Sequence, residues 1–262
     1  MRLIKNPGCV LMSNIDCKVV ITRIQQWLDE YLRNSGARGF VVGLSGGLDS
    51  SVTVVLCHRV TKNTVGLLLP CSLDSDDMED ARLIGEKFDI RLITYDLKPA
   101  YTAFLRIFGR MKKQGASLDL ALANIKPRLR MIALYYVANK FNYLVVGTSN
   151  RVELMLGYFT KYGDGGSDIL PLGDLLKRDV RRIAETLDVP RKIIGKAPSA
   201  GLWPGQTDEG DLGASYDILD RVVGNEEVTD VDARLVNRLR ELTVIGKHKR
   251  LSPPVCKIRG HV

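Results

Sequence analysis

GFVVGLSGGLDSS (residues 39–51) sets an apolar run directly against a turn made of glycine, serine and one carboxylate. The run predicts a buried strand over 39–44. The residues from about Asp49 to Val60 predict a helix, with Val52, Val55 and Leu56 turned inward. In the turn between them, glycine lets the backbone approach a ligand closely or take positive φ. Serine hydroxyls, exposed amides and a helix N-terminus all suit an anion, phosphate above all. The turn lacks the lysine of the P-loop pattern G-x-x-x-x-G-K-[ST], and its Asp49 suggests a metal ion instead.

Upstream, residues 16–34 place Val19, Val20, Ile24, Trp27, Leu28, Tyr31 and Leu32 at helical spacing, ended by Gly36. Downstream, TVGLLLP (64–70), DIRLITYDL (89–97) and NYLVVGT (142–148) read as three more strands. A helix over 75–88 and two helical stretches across 99–141 separate them. Continuous apolar strands alternating with helices predict a doubly wound α/β fold, a parallel sheet with helices on both faces. One domain spanning 1–262 is expected. Ligands of such sheets bind at the carboxyl ends of the strands. Here those ends carry SGGLDS, CSLDSDD, the Tyr95-Asp96 pair and GTSNRVE.

After residue 155 the chain becomes glycine-rich, then helical from about Asp174 to Leu187. KAPSAGLWPGQTDEGDLG (196–213) has no helical or strand period, and a loop of that length in a compact domain is usually functional or disordered. Its Leu202 and Trp203 form an apolar tip suited to a lid that excludes water. Helices over about 211–223 and 230–243 precede the basic turn GKHKRLSPP.

Composition narrows the class. Hydrophobic content of 45% and charged content of 26% suit a globular protein with a sizeable core. Lys and Arg number 38 against 30 Asp and Glu, a net charge of +8. The basic residues are spread without a tail, so small phosphorylated substrates fit at least as well as a nucleic-acid track. The five cysteines (Cys9, Cys17, Cys57, Cys71, Cys256) form no C-x-x-C pair, which argues against a zinc ribbon or a dithiol redox site. No signal peptide is visible, and no apolar run approaches the ~20 residues of a membrane span. A cytoplasmic protein with reduced thiols is expected, with neither membrane nor nucleic acid as partner.

SGGLDS directly after a strand resembles the pyrophosphatase loop of the N-type ATP pyrophosphatases, which adenylate a substrate and release PPi. NIKPRLRM (124–131), VVGTSNRVELMLGYFTKYGDGGSDILPL (145–172), KR (177–178), APSAGLWPGQTDE (197–209) and HKR (248–250) together resemble ammonia-dependent NAD synthetases. The resemblance runs in order from about residue 20 to 251. It implies an adenine nucleotide alpha-hydrolase-like fold and amidation of deamido-NAD by ammonia, through an adenylated carboxylate with release of AMP and PPi. ATP is then a co-substrate, Mg²⁺ the cofactor and a homodimer the assembly. No segment resembles an amidase, so glutamine is not expected to serve in cis.

The same resemblance implies roles residue by residue. Gly43, Leu44, Ser45, Gly46, Gly47, Leu48, Asp49 and Ser50 would hold the ATP phosphates, with Lys177 and Ser199, and Thr148 would bind ATP at the end of the fourth strand. Asp49 and Glu153 would bind Mg²⁺. Arg128, Lys161, Asp168, His248 and Lys249 would contact deamido-NAD, and Asp49, Glu153 and Asp168 would form the catalytic set. Either Asp164 or Asp168 could orient or deprotonate ammonia. Asn150 stands where many relatives carry His; the Asn form occurs in related archaeal-type sequences. Blander readings stand beside these: Glu153 as a first-turn carboxylate favoured by the helix dipole, Lys177 as part of a solvated face, His248 as surface charge. Pro127, between Asn124 and Arg128, is either an early-turn proline or a kink. The rival function is a tRNA-modifying ATP pyrophosphatase, against which the absence of cysteine pairs weighs. A catalytically silent module is opposed by Asp49, Glu153 and the 197–209 segment.

Overall fold

The computed structural model describes residues 16–71, 75–108, 117–203 and 205–258. Cys9 and residues 72–74 of the CSLDSDD segment lie outside them. Asp16 accepts hydrogen bonds from the Lys18 and Val19 amides and starts α1 (Cys17–Ser35), which Gly36 ends in the left-handed conformation. There follow β1 (Gly39–Gly43), α2 (Leu48–Val60), β2 (Thr64–Leu68), α3 (Ser75–Phe88) and β3 (Arg91–Thr94). Next come α4 (Lys98–Phe108), α5 (Ser117–Ala123), α6 (Ile125–Phe141) and β4 (Tyr143–Val146). The remaining elements are helical: α7 (Arg151–Leu156), α8 (Lys177–Thr186), α9 (Arg191–Ile194), α10 (Asp208–Leu212), α11 (Tyr216–Val223), α12 (Ala233–Ile245) and α13 (Lys247–Arg250).

The four strands are parallel in the order β3-β2-β1-β4, with Val41 opposite Val65 on one side and Val145 on the other. Side chains alternate across this sheet. Phe40 and Val42 pack with α1, α2 and α8, whereas Val41, Val65 and Val145 pack with Val137 and Ala138 of α6. α2 is buried almost all round because the sheet, α1 and α8 enclose it. A third apolar cluster joins α7, α10, α11 and α12 through Val152, Leu212, Tyr216, Leu219 and Leu239. Each fully buried aliphatic side chain contributes about 1.5–3 kcal/mol, so these clusters fix the loops that the helices carry.

The doubly wound fold is as expected, with local differences. β3 is an edge strand shorter than the apolar run, because Asp89 takes φ 54° after α3 and Arg91 and Thr94 are exposed. Irregular pairing continues beyond it, from Tyr95 to Leu68 at 3.0 Å and from Leu97 to Pro70 at 2.9 Å. The described residues of 99–141 carry three helices rather than two. Pro127 lies in the first turn of α6, where no intrahelical N–H is needed. α8 begins at Lys177, after Asp174, and the 196–213 segment contains α10. Among the described residues no disulfide joins any two of Cys17, Cys57, Cys71 and Cys256, and no helix is long and apolar enough to cross a membrane.

Candidate active site

From β1 the chain winds outward to β2 and β3, while β4 lies on the other side of β1. The carboxyl ends of β1 and β4 therefore border the crevice where the winding reverses, the usual ligand position of such sheets. Gly43 to Gly47 follow β1 into α2. Gly46 has φ +77°, and a Cβ there would stand 2.3 Å from the Asp77 carbonyl oxygen, so the turn admits only glycine. The Ser45 and Ser50 hydroxyls meet at 3.1 Å, and Ser50 and Ser51 donate to the Gly47 carbonyl at 3.0 and 2.8 Å. Gly47 provides no side-chain cap for α2, which leaves the first amides of that helix for an anion.

The loop after β4 closes on the same point. Asn150 Oδ1 accepts from the Val152 and Glu153 amides at 3.0 and 3.1 Å, while Glu153 Oε2 accepts from the Asn150 amide at 3.3 Å. This reciprocal cap starts α7. Asn150 Nδ2 donates to Glu153 Oε1 at 2.8 Å and reaches Asp49 Oδ1 at 3.4 Å. The Lys177 ammonium donates to Asp49 Oδ2 and stands 3.7 Å from Glu153 Oε1. Its side chain is only 2% exposed, which rules out a solvated face. Glu153 is thus both a helix-start carboxylate and a partner of this centre.

Two elements far along the chain seat Lys177. Asp220 of α11 accepts from the Lys177 and Arg178 amides, both at 2.9 Å, and so caps α8 from outside the helix. The Tyr216 ring lies 5.0 Å from the Lys177 ammonium. Tyr216 donates its hydroxyl to Asp208 Oδ2 at 2.8 Å, and Asp208 Oδ1 is buried without a hydrogen-bond partner. Burial, reinforced by the Asp49 charge, pushes the Glu153 carboxyl up to about 8. Burial opposes the charge on Lys177, but Asp49 and Glu153 outweigh it and raise the ammonium above its ordinary value. Burial also pushes Asp208 up. The centre is therefore short of positive charge. Among the described residues no three His, Cys, Asp or Glu side chains form a metal cage. Two hard oxygen donors beside a phosphate loop still fit Mg²⁺, which keeps waters and binds phosphate oxygens.

A second group lies beyond the far end of α7. Lys161 donates to the His248 carbonyl at 2.8 Å, and Lys249 donates to the Gly157 and Phe159 carbonyls at 2.7 and 2.9 Å. Burial lowers the Lys249 ammonium. The backbones cross here: a Cβ on Gly157 would lie 2.7 Å from the Gly246 Cα. α6 approaches this turn through Asn124, which accepts from the Thr160 hydroxyl at 2.8 Å, and carries Arg128 exposed. The side chain of His248 is exposed as well.

The other expected residues are placed differently. Asp168 accepts from the Val145 amide at 2.7 Å and the Tyr135 hydroxyl at 2.9 Å, sealing the free edge of β4. Both of its oxygens are engaged, and no bond joins it to Asp49 or Glu153. Asp164 accepts from the Thr160 amide at 2.9 Å. Thr148 is half-buried at the end of β4. Ser199 is exposed and accepts from the Gly201 amide at 3.1 Å. Sequence reasoning assigned nothing to Asp208, Tyr216 or Asp220. Only Asp208 left a trace, as part of the quoted 197–209 segment.

With this geometry in view, comparisons with known proteins agree. The family model described as NAD synthase matches residues 20–253. The NH(3)-dependent NAD(+) synthetase of Carboxydothermus hydrogenoformans is 44% identical over 89% of this chain and 95% of its own. That of Syntrophomonas wolfei is 42% identical over 92% and 96%. Among solved structures, an NMN synthetase from Francisella tularensis has a TM-score of 0.86 and 37% identity, covering 94% of this chain and all of that one. The NAD+ synthetase from Burkholderia pseudomallei has 0.73 and 32%, covering 92% of each chain. With its glycine-rich turn after β1, its paired carboxylates and this match over most of its length, the chain belongs to the NAD synthase family, whose members are ligases that form a C–N bond.

Proposed function

We propose that the protein converts deamido-NAD, ATP and ammonia into NAD, AMP and PPi. A carboxylate does not react with ammonia until one of its oxygens can leave. In the first step that oxygen attacks the α-phosphorus of ATP and PPi departs. In the second, ammonia adds to the acyl carbon, nitrogen loses a proton, and AMP leaves with the former carboxylate oxygen. The amides of residues 43–50 cradle the phosphates, and Lys177 places a fixed positive charge beside them. Thr148 and Ser199 complete the ATP contacts. Arg128, Lys161, His248 and Lys249 bind the dinucleotide, with Asp168 or Asp164 holding the ammonia proton. Asp49 and Glu153 are the residues that would hold Mg²⁺, which when bound would supply further positive charge at the phosphates. The observation that carries this reading is the buried Lys177 ammonium, set between Asp49 and Glu153 where the sheet reverses its winding.

Mass spectrometry of products from ATP, Mg²⁺, ammonium and deamido-NAD tests it. NAD and AMP should appear together, and glutamine freed of ammonium should give far less product. Comparable turnover with purified glutamine would exclude free ammonia as the donor. The likeness to an NMN synthetase favours a second reading, in which the acceptor is a mononucleotide bearing the same pyridine carboxylate. Running nicotinate mononucleotide beside deamido-NAD decides between them through kcat/KM.

The protein is further proposed to act as a homodimer in the cytoplasm. Val19, Trp27 and Tyr31 on α1, and Ile132 and Tyr136 on α6, are exposed apolar side chains that a second copy would cover. Light scattering at micromolar concentration should give the mass of two chains. A fully active monomer would overturn this assembly.

A further inference from the structure

Asp208 belongs to two structures at once. Its amide donates to the Pro198 carbonyl at 3.0 Å and so closes the base of the loop between them. Its side chain, 4% exposed, turns inward to accept the Tyr216 hydroxyl. The ring of that same tyrosine faces the Lys177 ammonium. The charges that Asp208 meets across this space are those of Lys177, Asp49 and Glu153. The Tyr158 hydroxyl also faces it but donates to Asp211 at 2.7 Å. Farther along the loop, the Leu202 amide donates to Gln206 Oε1 and the Leu202 carbonyl accepts from Lys126, both at 2.7 Å.

We propose that Asp208 is a positioning residue that makes closure of the loop base and seating of Lys177 a single event. A carboxylate this deep is tolerated only while a donor and a nearby cation compensate it. Tyr216 supplies the donor, and Lys177 lies across its ring. When the loop base opens, Asp208 withdraws, the tyrosine loses its tether, and the lysine loses a compensating charge and its cover. Closed, the base returns all three. The inference rests on the proposed ATP site only for the identity of what Lys177 then meets.

Tyr216→Phe isolates the link, because it keeps the ring and removes the hydroxyl. Two rates are measured on the protein without nucleotide: proteolytic cleavage within 198–208, and acetylation of Lys177 by acetic anhydride, read by mass spectrometry. Stripping the donor from a buried carboxylate should raise both by roughly tenfold. Asp208→Ala breaks the same bond from the loop side and should also raise both rates, so a folding failure of one variant leaves the other to decide. A rise in one rate alone, or no rise in either, overturns the proposal. Neither rate involves catalysis, so failure of the parent to make NAD would remove the proposed function and leave this result standing.

Discussion

Asp49→Asn should slow AMP and NAD formation by roughly a hundredfold or more, equivalent to several kcal/mol of lost transition-state stabilisation. The substitution keeps the size and shape of the side chain. It removes the charged oxygen that now accepts from Lys177 and that would serve as a metal ligand. Lys177 then keeps Glu153, 3.7 Å away, as its nearest anion. The fold should survive, because Asp49 is partly exposed and its helix is held by apolar contacts along most of its length. Activity assays on the purified variant, with circular dichroism to confirm folding, check this. A folded Asp49→Asn protein that makes AMP at near the parent rate would remove Asp49 from the chemistry.

Asp220→Ala should produce the largest loss of stability among single polar substitutions near the site. The carboxylate is buried and accepts from two amides at the start of α8. Removing it leaves those amides without partners at a cost of about 1–3 kcal/mol each. Burial also pushes the Asp220 carboxyl up, so deleting it recovers part of a desolvation penalty. The net loss should be about 2–3 kcal/mol, or roughly 4–12 °C in Tm for a chain of this size. Activity should fall in step, because the first residue of α8 is Lys177. Asp220→Asn keeps one acceptor and should lose about half as much by calorimetry. A Tm within about 1 °C of the parent for Asp220→Ala would show that α8 holds its start without this cap.

Much of this architecture is legible in the chain because apolar runs act locally. GFVVG and TVGLL are buried on both faces, and buried parallel strands need no alternation to be recognised. The turn at Gly46 is legible for the same reason: glycines and serines between a strand and a helix have few other uses. β3 was harder, since its apolar residues border an edge and its ends are wet. What could not be read is what depends on contacts between distant segments. Asp220 lies in YDILDRVV, where an aspartate on an amphipathic helix looks like an ordinary solvent-facing residue. Only the packing of α11 on α8 turns it into a cap. Tyr216 and Asp208 are hidden likewise, because their partner Lys177 comes from another helix. The bonds that Asp168 accepts at the edge of β4 are hidden too, because Tyr135 reaches it from α6. Lys177 among KRDVRR resembled surface charge until α11 covered it.

The crossing of Gly157 and Gly246 bears on how this sequence can change over generations. Each backbone fills the space where the other's side chain would stand, with Gly157 additionally at φ +66°. Ordinary cavities permit exchange, in which one residue grows while its neighbour shrinks. This pair has nothing left to shrink. A mutation to alanine at either position has no compensating step at the other, so the two codons are inherited as one character. Drift in the C-terminal helices is thereby tied to the turn after α7, and a lineage that lost either glycine would have to rebuild both segments to keep Lys249 on its carbonyls.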